Sequence, residues 1–223
     1  MVKMLSIADL ITLVNVLFGF FSMIMLFLGE IRFSFSFILL ALLADGLDGI
    51  VARRTKKGEL GEYFEAMADM TSLGIAPALF VYVTYRGDAS CCIYYHSYLI
   101  ITLVLFLLLC VIRLASFHVM KDEKFFVGLP ASASTIIIIS LAFIGIPFLY
   151  LLPVVIVVSV AMICDIKFPK PGLLIDSVAS VLIIFSAILG KSYDGAAPIA
   201  LLFTLLIYVL AGPVYLWKTK KNL

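Results

Sequence analysis

Long runs of apolar residues, broken by short polar segments, follow one another along most of the chain. An α-helix needs about 20 such residues to cross the hydrocarbon core of a bilayer. The runs therefore predict eight transmembrane helices, over residues 7–28, 33–52, 60–84, 95–119, 129–146, 148–165, 173–190 and 196–217. The division between the fifth and sixth runs, at Ile146 and Pro147, is the least distinct, and a single re-entrant hairpin there is the alternative.

The composition places the chain in a membrane. Of its 223 residues, 64% are hydrophobic and 13% are charged, with a mean hydropathy of +1.21. A water-soluble domain cannot bury so much apolar surface. We predict an all-α integral membrane protein, in which residues 1–223 form a single helical-bundle domain. The first apolar run is too long for the core of a cleaved signal peptide, so it counts as the first span.

The basic residues predict the orientation of the bundle. With the N-terminus in the cytoplasm, most of them fall on the cytoplasmic side, as the positive-inside rule requires. These are Lys3, Arg53, Arg54, Lys56, Lys57, Lys121, Lys124, Lys167, Lys170, Lys218, Lys220 and Lys221, against Arg32, Arg86 and Lys191 outside. An even number of spans then returns the C-terminus to the cytoplasm.

Four carboxylates lie in or beside these apolar runs, where charged side chains are rare and costly. Asp45 and Asp48 are three residues apart, and Glu65 and Asp69 are four apart, so each pair lies on one face of its helix. Antiparallel helices joined by a short basic loop bring the two faces together on the cytoplasmic side. Ligands that are all oxygen suit Mg²⁺, Mn²⁺ or Ca²⁺. The pattern indicates a metal site inside a membrane protein.

The same segment resembles the signature of the CDP-alcohol phosphatidyltransferases, D-x-x-D-G-x-x-A-R and, after a loop, G-x-x-x-D-x-x-x-D. The matching residues are Asp45, Asp48, Gly49, Ala52, Arg53, Gly61 and Asp69. The resemblance covers positions 45–69 in full and extends more weakly over most of the chain. Two features depart from it: the loop before Gly61 is one residue shorter, and Glu65 stands where the family has an aspartate.

This resemblance implies the transfer of a lipid phosphatidyl group from a CDP-linked donor to an alcohol, with release of CMP. It also implies two divalent cations, Mg²⁺, Mn²⁺ or Ca²⁺. By carry-over from the family, Asp45 and Glu65 bind both metals, Asp48 binds one and Asp69 binds the other. Asp69 is further implied to be the general base that takes the proton of the acceptor hydroxyl.

The CDP moiety is expected, from the same resemblance, beside Gly49, Ala52 and Arg53, with Asn15 of the first span as a neighbour. Gly46 and Gly49 carry no side chains, so a second backbone or a bulky ligand can come close. The alternative for Asn15 is a hydrogen bond between helices, which is common in membrane bundles.

Further stretches are similar to those of the phosphatidylserine synthases within this family. They are residues 12–20, 69–77, 113–117 and 126–131, although Ser116 replaces the second arginine of the R-L-A-R-F pattern. They favour L-serine as the acceptor, over glycerol 3-phosphate or an inositol phosphate. Arg113 either pairs with an acid, extends to the surface, or contacts the carboxylate or phosphate of the acceptor. The lipid donor is expected to carry diacyl or archaeal ether chains.

Glu65 is the departure that bears on chemistry. Its extra methylene extends the carboxylate by about 1.5 Å, the length of a carbon–carbon bond. Either the metal spacing adjusts or the site is altered, and we expect a reduced but real activity. Glu62 lies on the same helical face and is the alternative ligand, although it changes the spacing to Asp69.

The resemblance also implies a homodimer. We further expect a location in the plasma membrane, with the site on the cytoplasmic side as the basic residues predict, and no nucleic-acid partner. A rival from another class is an ion transporter whose acids line a pore. The acids lie towards one side rather than at the midplane, and the two halves show no inverted repeat. Binding of cytidine nucleotides distinguishes the two functions.

Overall fold

A computed structural model describes residues 6–54, 61–117, 125–170 and 172–221. Its nine α-helices are α1 Ile7–Phe27, α2 Ile31–Arg54, α3 Gly61–Asp69, α4 Ala76–Ala89, α5 Ile93–Phe117, α6 Ala131–Ile144, α7 Phe148–Ile163, α8 Leu173–Leu189 and α9 Ala196–Lys221. A π-helical segment, Met70–Ile75, joins α3 to α4 in one continuous rod. The described residues thus form eight helical rods, at the positions of the eight predicted segments.

Five of these rods are long and apolar enough to cross a membrane, judged by length and composition. They cover Ile7–Phe27, Ile31–Val51, Gly61–Ala89, Ile93–Ser116 and Ala196–Val214. The other three helices, α6, α7 and α8, are shorter apolar helices of 10–17 residues. At about 1.5 Å per residue, the 14 residues of α6 span less than a typical hydrocarbon core. Helical membrane architecture is therefore confirmed, whereas the number of crossings stays a prediction.

The buried face of α1 is built from small and polar residues, the reverse of a water-soluble helix. Its buried residues are Ala8, Asp9, Thr12, Asn15, Gly19, Ser22 and Leu26, while large apolar side chains such as Leu17 and Phe20 are exposed. Small residues let helices approach closely, and polar ones form hydrogen bonds between helices. Ser22, for example, lies 2.8 Å from Ser34 of α2.

The core lies where α2, α4, α5, α6 and α7 meet. At its centre the ring of Phe35 in α2 stacks on that of Phe143 in α6, with centroids 4.0 Å apart. Both side chains are almost fully buried. Gly145, with φ at +94°, ends α6, and Pro147 precedes α7. The chain therefore does break into two helices at the junction that the sequence marks only weakly.

A two-stranded antiparallel sheet, β1 Phe125–Val127 with β2 Lys167–Pro169, is an addition to the predicted all-α bundle. Gly128 follows β1 with φ at +78°, a conformation that favours glycine. Its N–H donates to the carbonyl of Ile166 at 2.8 Å, and the N–H of Leu129 donates to that of Ala161 at 2.9 Å. These bonds hold the segment that leads into α6 against the end of α7.

Candidate active site

The structure brings the four predicted carboxylates together. Asp45 and Asp48 project from α2, and Glu65 and Asp69 from α3. Asp48 and Asp69 are 3% and 8% exposed, while Asp45 and Glu65 are half-buried. The carboxylate of Asp45 lies close enough to the other three for their charges to interact. We refer to these four side chains as the carboxylate cluster.

Two pockets open on either side of the carboxylate cluster. The larger encloses about 540 Å³, part of it open to the surroundings, and is lined by Asp45, Glu65, Asp69, Leu73, Arg113, Leu114, Phe126, Pro130, Ala131 and Ser132. The smaller encloses about 270 Å³ and is lined by Ser6, Ala8, Asp9, Thr12, Asp48, Gly61 and Glu65. Glu65 lines both pockets, whereas Glu62 lines neither and is exposed. This placement favours Glu65 over the alternative ligand Glu62.

Helix α1 contributes two hydrogen-bond donors to the cluster. Thr12 Oγ1 donates to Asp48 Oδ2 at 2.6 Å, and Asn15 Nδ2 donates to Asp69 Oδ1 at 3.1 Å. Asn15 is fully buried, and among the described residues its Oδ1 has no hydrogen-bond partner. Its interhelical hydrogen bond is therefore present, and its predicted contact with CDP stays a prediction.

Arg113 lies on α5 and also lines the larger pocket. It is 5% exposed, and its Nε donates to the carbonyl oxygen of Leu129 at 3.1 Å. That carbonyl belongs to the segment that Gly128 and the β-ribbon hold in place. A Cβ added to Gly128 would stand 2.3 Å from the carbonyl oxygen of Met162. The stretch over residues 126–131 thus has a geometric role, because its Leu129 carbonyl holds the side chain of Arg113.

The predicted nucleotide-binding residues lie at the end of α2. A Cβ added to Gly46 or Gly49 would meet nothing within 4 Å among the described residues. No second backbone of the described chain approaches these two glycines, and the predicted ligand contact stays a prediction. The side chains of Ala52 and Arg53 lie outside the described residues, as do Lys56 and Lys57 of the basic loop.

The cluster has the chemistry, though not the spacing, of a metal site. Its donors are all oxygens, and the buried Oδ1 of Asn15 beside Asp69 lacks a partner in the described chain. Four anions at such close range repel one another unless cations or protons offset their charge. Within the described ranges, however, no three His, Cys, Asp or Glu side chains stand at metal-binding distances. A bound cation would have to draw the carboxylates closer together.

Sequence reasoning missed the partners that surround the cluster. Thr12 and Phe126 appear only inside motif stretches, Ser132 lies just beyond one, and the carbonyl of Leu129 has no signal in the sequence. One cue was present for Thr12, which precedes Asn15 by three residues and so shares its helical face. The remaining contacts depend on packing between segments far apart in the chain.

Comparison with known proteins places the chain among lipid-synthesising enzymes. Residues 5–166 match the family model described as CDP-alcohol phosphatidyltransferase. The match includes the whole carboxylate cluster, Arg113 and the first strand of the sheet, β1.

Individual relatives agree with that match. The chain is 29% identical over 169 residues to a CDP-diacylglycerol–serine O-phosphatidyltransferase of Methanocaldococcus jannaschii, covering 75% of this chain and 76% of the relative. It is 31% identical over 172 residues to the archaetidylserine synthase of Methanothermobacter thermautotrophicus, covering 74% and 70%. A CDP-diacylglycerol–serine O-phosphatidyltransferase of Saccharomyces cerevisiae is 30% identical, covering 64% of this chain and 55% of the relative.

Proposed function

The chain belongs to the CDP-alcohol phosphatidyltransferase family, and we propose that it transfers a phosphatidyl or archaetidyl group from a CDP-linked lipid to L-serine, releasing CMP. The observation that carries this proposal is a pocket lined both by three members of the carboxylate cluster, Asp45, Glu65 and Asp69, and by Arg113. The similarity to relatives named for serine and archaetidylserine supports the same acceptor.

Two divalent cations, Mg²⁺ or Mn²⁺, are the proposed cofactors. Asp45 and Glu65 would hold both, Asp48 one and Asp69 the other. When bound, the cations neutralise the pyrophosphate of the CDP-linked donor and help align the reacting groups. Two half-buried and two buried acids on adjacent helices supply the oxygen ligands that such cations prefer.

Asp69 is the proposed general base. It is buried and lines the larger pocket, so a hydroxyl entering there meets its carboxylate. Asp69 takes the proton of the serine hydroxyl while that oxygen bonds to the phosphorus of the phosphatidyl group. The bond from this phosphorus to the CMP oxygen breaks, and CMP leaves with the electron pair. Asp69 later returns its proton to solvent.

The nucleotide is proposed to lie along the end of α2. Gly49 leaves open space there, and Ala52 and Arg53 follow on the same helix. Arg53 and the basic loop would offset phosphate charge.

Charge around the larger pocket favours an amino acid over a phosphorylated acceptor. Among its described lining residues, Arg113 is the one cation. A phosphorylated acceptor would call for more basic residues than this single arginine. The carboxylate of serine can pair with Arg113 alone. The acceptor alternatives, glycerol 3-phosphate and an inositol phosphate, are therefore disfavoured.

We further propose a plasma-membrane location, with the site and both termini on the cytoplasmic side and two chains per assembly. The distribution of Lys and Arg supports the orientation. Serine and CMP are water-soluble, so a site near the cytoplasmic surface gives both of them access. The dimer is an expectation from the family resemblance.

The decisive experiment measures CMP release by purified protein in detergent from CDP-diacylglycerol and from its archaeal ether analogue. Each donor is tested with Mn²⁺, Mg²⁺ or EDTA, with and without L-serine, and with glycerol 3-phosphate or inositol phosphate in its place. We expect release that requires both a divalent cation and serine, and that Asp69→Asn abolishes. Release only with a phosphorylated acceptor would overturn the serine assignment. Absence of release and of CMP binding would favour the rival ion transporter.

A further inference from the structure

Two polar residues of α1, Thr12 and Asn15, contact carboxylates that lie on two different helices. Thr12 donates to Asp48 of α2 at 2.6 Å, and Asn15 donates to Asp69 of α3 at 3.1 Å. We propose that Thr12 and Asn15 are positioning residues. Each bonds to one oxygen of its carboxylate and so fixes the orientation of the whole carboxylate towards the cations or the acceptor. The proposal rests on the proposed function.

The bond from Thr12 is strong because its acceptor is a buried carboxylate. The hydroxyl has one proton and two acceptors within reach, Asp48 Oδ2 at 2.6 Å and the carbonyl oxygen of Ala8 at 3.1 Å. The shorter contact, to the charged group, is the stronger. Thr12 and Asp48 are only 4% and 3% exposed, so water competes little for either atom. Threonine hydroxyls in helices commonly bond to a carbonyl oxygen one turn earlier in the same helix. That habit does not explain the 2.6 Å contact between Thr12 and Asp48 of another helix.

The bond from Asn15 has a defined direction. With Nδ2 towards Asp69 the contact is attractive, whereas the flipped amide would set two oxygens against each other. The residue is fully buried, and leaving its Oδ1 without a partner carries a desolvation cost. A merely structural apolar residue would avoid that cost. The amide of Asn15 therefore orients Asp69. It fixes Oδ1 of the carboxylate and leaves Oδ2 to receive the proton of the acceptor.

The close approach of α1 makes these bonds possible. Thr12, Asn15 and Gly19 follow one another on one face of α1, and a Cβ at Gly19 would stand 3.0 Å from Ser72 Cα. Groups that orient metal-binding carboxylates typically change metal affinity or activity by 10–100-fold when removed. Helix α1 thus supports the site although the signature motif lies entirely in α2 and α3.

The test for Thr12 compares two substitutions of similar size. Thr12→Val removes the hydroxyl at nearly constant volume, and Thr12→Ser keeps the hydroxyl. Binding of Mn²⁺ is measured directly, from the electron paramagnetic resonance signal of free Mn²⁺ in a titration of purified protein. We expect Thr12→Val to weaken Mn²⁺ binding by about tenfold, and Thr12→Ser to stay within about threefold of wild type.

The test for Asn15 separates positioning from nucleotide binding. Asn15→Leu should lower kcat by about tenfold or more, with CMP affinity within about twofold of wild type, because Asp69 loses its orientation while the nucleotide site is kept. Ser22→Ala is the matched control. Ser22 lies on the same buried face of α1 but pairs with Ser34, so this variant should lower thermal stability alone.

Three results would overturn the inference. Equal Mn²⁺ binding by wild type and a folded Thr12→Val would show that the hydroxyl does not orient Asp48. Equal losses in Thr12→Ser and Thr12→Val would point to packing. A loss of CMP affinity in Asn15→Leu with kcat unchanged would make Asn15 a nucleotide contact. A wild type that neither binds nor requires a divalent cation would instead overturn the proposed metal site, and this inference with it.

Discussion

Gly19 of α1 lies directly against Ser72 of the π-helical segment, so closely that an added Cβ would stand 3.0 Å from both Cα and Cβ of Ser72. This contact sits one helical turn after Asn15 and three residues after Asp69. It therefore sets the distance between α1, which carries the donor Asn15, and the carboxylate of Asp69 that accepts its hydrogen bond. The π-helical segment itself begins immediately after Asp69, and such segments are frequent at functional sites.

Gly19→Ala should push α1 away from this segment, because Ser72 meets the new methyl with backbone rather than with a flexible side chain. Overpacking of this kind costs about 1–3 kcal/mol of stability. We expect a lower unfolding temperature in detergent and a loss of activity. Gly87→Ala is the control, since a Cβ there meets nothing within 4 Å in the described chain. Equal unfolding temperatures and activities of the two variants would contradict a tight contact between Gly19 and Ser72.

Gly128→Ala should displace the segment that holds Arg113. The new Cβ would stand 2.3 Å from the carbonyl oxygen of Met162, and the positive φ adds strain. Gly145→Ala separates these two effects, because Gly145 also has a positive φ but its added Cβ meets no described atom within 4 Å. We expect Gly145→Ala to cost about 1–2 kcal/mol, and Gly128→Ala clearly more. Thermal unfolding in detergent measures the stability loss of each variant. Similar losses in the two variants would show that a side chain at Gly128 does not collide with Met162.

Arg113→Met should weaken acceptor binding and leave the nucleotide site intact. A hydrogen bond to a charged group contributes about 1.5–3 kcal/mol, so the KM for serine should rise by about tenfold or more. CMP affinity should stay within about twofold. Arg113→Lys keeps the charge but loses the Nε bond to Leu129, and an intermediate KM is expected. If KM for serine is unchanged in Arg113→Met, the arginine does not contact the acceptor.

Glu65→Asp restores the aspartate of the family signature. Glu65 lines both pockets, and shortening its side chain should let the carboxylate bind the cations without overreach. We expect a rate at saturating Mn²⁺ at least equal to that of wild type, whereas Glu65→Gln should lose about 100-fold or more. The matched control is Glu62→Gln, which alters an exposed acid of the same helix and should change little. The same CMP-release assay measures all three variants.

A stronger loss in Glu62→Gln than in Glu65→Gln would reverse the ligand assignment. Activity confined to Glu65→Asp would mean that the fold and family are right and that glutamate disables the site.

The sequence was sufficient for the helical segments and for the acids. Apolar runs near 20 residues and carboxylates spaced by three and four residues are local properties, because helical periodicity decides which side chains share a face. Asp45, Asp48, Glu65 and Asp69 do meet, although α2 and α3 make few direct contacts and α1 packs against both of them. The length of an apolar run cannot show whether a helix as short as α6 crosses the bilayer.

Only the tertiary structure decided what surrounds those acids. The contacts of Thr12 with Asp48, Asn15 with Asp69 and Arg113 with Leu129 join residues that are 36, 54 and 16 positions apart. The short β-ribbon also arises from segments on either side of α6 and α7. Hydrogen bonds between distant segments depend on how whole helices approach one another, and no local pattern encodes that approach. The sequence alone therefore determined the class of chemistry, whereas the packing of α1, α5 and the ribbon determined which groups orient it.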